Sequence, residues 1–600
     1  MFGYIALIWD PDVPLQADTA RRLSSRLLHE LEGWKQVLAS SGMSVFITAV
    51  HRGASRPYFL DHGVVLGTLF NRTDTTAEHF DVDLDVAQKQ TILSSEGREL
   101  IHSYWGRYVA FLQDPRTLVK RIVRDPTGGM PCFWFDSNDC HICFSRLEDA
   151  LQLEPRRLSI NWETIAVRLA ISLFHAESTG LNEVSELRAG ECVCFHGRSS
   201  SRAFFWSPIQ IASRHRLEDP ALAAEALRHT AQLCTHAWAS RYTNIIHYLS
   251  GGLDSAIVLA CLHSARVRTP ARALTYFSPG ADSDERCYVR AAARKVDYEL
   301  IELPRRSEID LREISNACRT AAPVSLYIRV EASKQEAEVA ASTGADGIFS
   351  GDGGDVLFFR TPGASTAVDY VRDHGPVPPA LSVALNAACL DNVSVWIVLR
   401  DMWRYGVKRK RLHSLAERRS DWGAVSPRVV DCVTRKGDFV HPWFRSAGAV
   451  GPGKLRQAYL LSFAPDFYDP FDPGLPERAS PLLSQPLIEL CLQIPTYALS
   501  PGPQDRMLAR KAFSADLPEE ILYRVGKGSL ARHVKQTLQS NHAFLAEFLL
   551  DSILVRNRLL DRDKLVEALS NKSSRNRYWA PELLEYAGVE SWARSWSPVS

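Results

Sequence analysis

The sequence predicts an α+β layer domain followed by an α/β domain with a parallel, doubly wound sheet and a helical C-terminal part. Three observations predict it. Up to about residue 205 short apolar runs alternate with turns. From 245 to 303 strand and helix patterns succeed each other, which is how a parallel sheet is wound. Apolar runs at 245–249 and 347–349 each stop at a glycine loop that carries acid, and such loops lie at the carboxyl ends of parallel strands. Six hundred residues exceed what one hydrophobic core serves, so two domains are expected, 1–208 and 209–600.

Composition excludes several classes of function. With 46% apolar and 23% charged residues the chain is an ordinary globular one, and its 70 basic and 69 acidic residues give a net charge of +1. No global field then recruits nucleic acid or an acidic membrane. The first fourteen residues carry Asp10 and Asp12 and no basic head, unlike a signal peptide. No window approaches the ~18 uninterrupted apolar residues of a spanning helix. A cytoplasmic protein with no nucleic-acid or membrane partner is expected. Twelve cysteines are too dilute for a disulfide scaffold; Cys140-x-x-Cys143 has ligand spacing but no second close pair, and Cys192 and Cys194 alternate onto one buried strand face, so zinc is not expected.

In the first domain, alternation places strands at 4–9, 44–50, 64–70, 104–113, 119–123, 132–135 and 192–195, and helical periodicity places helices at 17–38 and 162–174. The pattern loosens at 207–220. Asp219 as N-cap with Pro220 at the first helical position then opens a helix through Trp238.

The second domain begins with a strand, 245–249, that meets Ser250-Gly251-Gly252-Leu253-Asp254-Ser255 and continues as a helix. Glycines let the backbone approach an anion, successive N–H groups point at it, and the helix offers its positive end. There is no phosphate-loop lysine, and Asp254 stands where magnesium can bridge to phosphate. A strand at 273–277 follows, then Asp282 and Glu285 as a capping box for a helix 286–296, then a strand at 298–303. After a helix at 331–343 comes the second loop, Ser350-Gly351-Asp352-Gly353-Gly354-Asp355. Acid beside a triphosphate needs a cation, so Asp254 and Asp355 are candidate magnesium ligands. From 378 to 469 helices are expected, and the basic run Lys408-Arg409-Lys410-Arg411 reads as a solvated surface.

These motifs carry a resemblance. Ser250 to Ser255 resembles the pyrophosphate loop of ATP pyrophosphatases, which implies cleavage of ATP to AMP and pyrophosphate. Trp105 to Phe111 with Arg124-Asp125-Pro126-Thr127-Gly128-Gly129-Met130-Pro131 is similar to the amidotransferase domain of glutamine-dependent asparagine synthetases, and Ser350 to Asp355, Glu477 to Pro486, Arg506 to Phe513 and Leu517 to Lys527 are similar to their synthetase domain. The resemblance implies a glutaminase-like (Ntn hydrolase-like) α+β domain ahead of an ATP pyrophosphatase-like synthetase domain. It also implies that Leu249, Ser250, Gly251, Gly252, Asp254, Ser255, Ser350 and Gly351 bind ATP, that Asp254 and Asp355 bind Mg²⁺, and that Lys527, Asp352 and Arg510 are the catalytic candidates. A glycine-flanked lysine suits charge developing at an α-phosphate. Asp352 stands where asparagine synthetases have Glu and β-lactam synthetases Tyr.

In that family the glutaminase nucleophile is an N-terminal cysteine. Phe2 stands there and the first cysteine is Cys132, so no glutaminase activity is expected and the amine must come from a substrate. Among members without that cysteine, the chain most resembles lasso peptide macrolactam synthetases (lasso cyclases). The implied reaction joins an Asp or Glu side chain of a precursor peptide to its own N-terminal amine, with a leader peptidase and a leader-recognition protein as partners. A β-lactam synthetase, an ammonia-using asparagine synthetase, a tRNA-modifying ATP pyrophosphatase and a silent scaffold are the alternatives.

Overall fold

The computed structural model describes residues 2–48, 54–72, 80, 82–171, 178–196, 199–214, 216–265, 269–278, 284–306, 309–316, 319–323, 327–360, 363–409, 423–436, 441–467, 475–526, 528, 531–570 and 576–597. Lys527, Asp282, Lys410 and Arg411 lie outside the described residues.

Twelve strands build the first part: β1 (Tyr4–Ile8), β2 (Trp34–Ser40), β3 (Met43–Thr48), β4 (Arg56–Leu60), β5 (Gly63–Asn71), β6 (Tyr104–Gln113), β7 (Lys120–Arg124), β8 (Phe133–Ser137), β9 (Cys140–Phe144), β10 (Ser185–Glu186), β11 (Glu191–His196) and β12 (Ser199–Phe204). They form two antiparallel six-stranded sheets, β10-β8-β9-β1-β3-β2 and β12-β11-β7-β6-β5-β4. Alternation explains the stacking. Phe2, Tyr4, Ala6 and Ile8 face Val64, Leu66, Val109 and Phe111 across a dry core between the sheets, while Ile5 and Leu7 face the helices outside. Cys140 and Cys143 of β9 sit in different cores, on opposite faces of the strand.

The expected helix over 17–38 is corrected. The helix is Pro14–His29, Gly33 turns the chain at φ +83°, and Trp34–Ser40 pairs along β3 as an edge strand. Ladder pairing outweighs a helical periodicity that runs through a glycine. The helix at 162 ends at Ala170, with its cap at Asn161. The Asp219 cap forms, accepting from the amides of Ala221 at 2.8 Å and Leu222 at 2.9 Å.

The third sheet is wholly parallel: β15 (Leu300–Pro304), β14 (Ala271–Phe277), β13 (Ile245–Tyr248), β16 (Gly347–Phe349) and β17 (Glu477–Ala479), in that order. The order reverses between β13 and β16, a switch point where the loops leaving two neighbouring strands diverge and open a crevice. One hydrophobic core joins β5 and β6 to the helix Pro220–Ala239, the helix Leu253–His263 and the helix Gln485–Gln493. Polar contacts reinforce that junction. Arg72 grips Glu489 through two 2.9 Å bonds, and Arg107 donates to the carbonyl of Arg478 at 2.7 Å. No helix among the described residues is long and apolar enough to cross a membrane.

Candidate active site

The first glycine loop follows from β13. Leu249 is buried and donates to Leu274 O, which fixes the strand's end, and Gly251 turns at φ +71° against Glu285 and Tyr288. Ser255 closes the loop, its hydroxyl lying 3.2 Å from Ser250 Oγ and from the carbonyl of Gly252. The helix Leu253–His263 has Gly252 as N-cap, with no side chain to satisfy its first amides. Such amides are donors available to an anion. Beneath them His247 is fully buried, its Nε2 2.8 Å from Ser255 O, and burial lowers its pKa to about 4.

The second loop packs directly on the first. A Cβ on Gly351 would come within 2.5 Å of the Ser255 nitrogen, so only glycine lets the two backbones meet. Ser350 Oγ donates to Asp352 at 2.7 Å and lies 3.2 Å from Ser480 Oγ. Asp352 is exposed and hydrogen-bonds Ser350 within this loop.

Asp254 and Asp355 converge on one cation. The Arg506 guanidinium lies 2.8 Å from Asp254 Oδ2 and 2.9 Å from Asp355 Oδ1. Asp505 Oδ2 is 3.3 Å from the same group, and Arg360 is 3.2 Å from the other oxygen of Asp355. Arg506 is 5% exposed and adopts φ +54°, a conformation uncommon outside glycine that concentrates at functional sites. Hard carboxylate oxygens converging on one point fit a divalent cation shared with phosphate oxygens. Among the described residues no larger His/Cys/Asp/Glu group gathers for a metal, so phosphate oxygens or water would complete the coordination.

Arg510 points elsewhere. Its guanidinium donates to the carbonyls of Asp505, Ile521, Leu522 and Arg524 and to Asp505 Oδ1. That fastens the strip leading to residue 527. Arg524 in turn donates to Gly251 O at 2.8 Å, stacks 4.0 Å over Tyr288 and pairs with Glu285. Glu285 also accepts from the Gly528 amide at 2.8 Å. The capping-box reading of Glu285 is thus corrected: it occupies the N-cap position but makes no side-chain cap, because Arg524 and Gly528 are stronger claims on its carboxylate. Arg524 is thereby tied to the glycine loop, and Gly528 to Glu285 beside it.

Sequence reasoning missed Arg506 as an organiser of the site. Arg506 meets its partners across 252 and 151 residues of chain, a proximity no local pattern encodes. The available signal was an arginine directly after Asp505 and four before Arg510, at the start of a helix.

Two glycine loops closed on each other at the switch point of a parallel sheet define an α/β enzyme of the nucleotide-binding kind. A family model described as asparagine synthase matches residues 226–435 and 476–594, more than half of the chain. The chain belongs to the asparagine synthase family, and it is an ATP-dependent amide ligase of asparagine synthetase type. No curated protein matches it. Of 26 matching chains among solved structures, one is the allosteric regulatory enzyme of purine biosynthesis. Its TM-score is 0.21 at 10% identity, over 50% of this chain and 80% of that one, a likeness too loose to define a fold.

Proposed function

We propose that the protein forms a macrolactam in a lasso peptide precursor. A side-chain carboxylate of Asp or Glu attacks the α-phosphorus of ATP, the α–β phosphoanhydride bond breaks, and pyrophosphate leaves. The peptide's N-terminal amine then attacks the acyl carbon, an amide forms, and AMP departs. The peptide loses one water in all.

The observation that carries the reading is Phe2. It stands where the family's glutaminase thiol belongs, and its side chain is fully buried between the two antiparallel sheets. The first cysteine, Cys132, is also buried, and burial pushes its thiol up to about 11, far from a ready nucleophile. With Phe2 in the place of that nucleophile, the amine comes from the substrate. The domains divide near residue 208, the first serving as a buttress without chemistry of its own.

In this reading the amides of Gly251, Gly252 and the helix start cradle the β and γ phosphates, with Ser250, Ser255, Ser350 and Gly351 shaping the pocket. Asp254 and Asp355 would hold magnesium, which when bound neutralises phosphate charge. Arg506, held between the same two carboxylates, would be the cation nearest the pyrophosphate. Lys527 stabilises the developing charge at the α-phosphate, and Arg510 is a positioning residue that sets the strip carrying it. Asp352, exposed at the mouth of the second loop, faces the peptide.

The test is mass spectrometry of the protein with ATP, magnesium, a precursor peptide from a neighbouring reading frame and its protease, beside Asp254→Ala. A core peptide lighter by one water, with AMP, both lost in the variant, is the expected outcome. AMP release with a small β-amino acid and none with peptide would replace the reading by β-lactam synthesis.

A further inference from the structure

The helix Val395–Asp401 continues into a π-helical turn, Met402–Val407. Its inner face is closed, with Val398 and Met402 buried in a small core with Ala367, Val368 and Val371 of the helix Gly363–His374. Its outer face is apolar where water is expected. Trp396 is 76% exposed, Trp403 53%, Val407 49% and Ile397 42%. Arg400 follows Trp396 by one α-helical turn, and through the wider π-helical turn Arg404 and Lys408 continue that row, with Trp403 and Val407 beside it.

The polar residues on this face are nearly all basic. Arg400, Arg404, Lys408 and Arg409 stand against a single acid, Asp401, and the ammonium of Lys408 lies 3.6 Å over the Trp403 ring. Protein interfaces gather their apolar residues into a charge-depleted centre. Here cations recur between the tryptophans instead. That interleaving suits the boundary between lipid headgroups and acyl chains, where indole rings settle at headgroup depth, aliphatic side chains reach below them and long basic side chains extend to phosphate. A nucleic-acid surface would use the cations and the indoles but leave Ile397 and Val407 in water.

We propose that this face docks the protein on an anionic phospholipid bilayer, lying in the interface without crossing it. The field is local, so a net charge of +1 for the whole chain does not oppose it. Docking of this kind would hold the amide ligase at the membrane surface.

Flotation of the full-length protein with phosphatidylglycerol-containing vesicles and with phosphatidylcholine vesicles tests it. Binding to the anionic vesicles alone is expected, weakened by high salt, and weaker by about tenfold or more in Arg400→Gln/Arg404→Gln and in Trp396→Ser/Trp403→Ser. Both variants are checked for folding by circular dichroism. Should the tryptophan variant fail to fold, quenching of wild-type fluorescence by brominated lipid reads the same contact. No flotation with anionic vesicles, or flotation unchanged in the arginine variant, overturns the proposal. So does self-association or capture of a protein that depends on Trp396 and Trp403 in the absence of lipid binding.

Discussion

At the scale of single residues, the charge of Arg506 is shared between two carboxylates that a nucleotide-bound metal would claim. Removing one partner of a buried ion pair leaves the other charge desolvated, at a cost of about 3 kcal/mol. Arg506→Gln is therefore expected to lower stability by about that amount without ligand, because Asp254 and Asp355 keep their charges and lose the cation they share. Magnesium should then restore part of the loss, and far more in the variant than in the wild type. Thermal melts with and without magnesium measure both effects. A variant whose melt ignores magnesium would show that the two carboxylates do not form a cation site.

At the scale of elements, the site depends on two loops whose backbones touch. Gly351→Ala places a methyl 2.5 Å from the Ser255 nitrogen, a clash with main chain that no rotamer relieves. Overpacking of this kind costs roughly 1–3 kcal/mol. The expected outcome is weakened ATP binding with modest destabilisation, while Gly448→Ala, with nothing within 4 Å of the new methyl, changes neither. Equilibrium ATP binding and denaturant melts on both variants check this, and unchanged binding in Gly351→Ala would count against the loop contact.

His247 gives the same element a pH dependence. Burial depresses its folded pKa to about 4 from an ordinary 6.5, so the folded state keeps it neutral where the unfolded chain takes up a proton. The stability this confers is complete above about pH 6.5 and is lost as pH falls to about 4, a total on the order of 3 kcal/mol. Denaturant melts across that window should be flatter with pH in His247→Gln. Parallel slopes for variant and wild type would contradict it.

At the scale of the whole molecule, what was legible in the sequence was what local chemistry dictates. β6, β16 and the helix Arg286–Val296 fall where alternation and periodicity place them, and both glycine loops leave strands as their composition requires. Two edge strands, β2 and β4, were not legible: few of their residues are buried, so they carry little apolar alternation, and only pairing with a neighbour makes them strands. Asp254 and Asp355, which the fold brings to one arginine, stood out in the sequence because each sits in a glycine loop. Arg506, the turn of Glu285 toward Gly528 and the tethering of the strip at 524–528 did not, since they depend on folding that brings distant segments together.

The central claim is that a peptide carboxylate is activated on the α-phosphate of ATP. The most direct measurement uses a precursor peptide labelled with ¹⁸O in both oxygens of the acceptor side chain, followed by mass spectrometry of the nucleotide. The account predicts AMP carrying one ¹⁸O in its phosphate, with the second label retained in the amide carbonyl. Unlabelled AMP beside a cyclised peptide, or label appearing in inorganic phosphate with ADP, would contradict it.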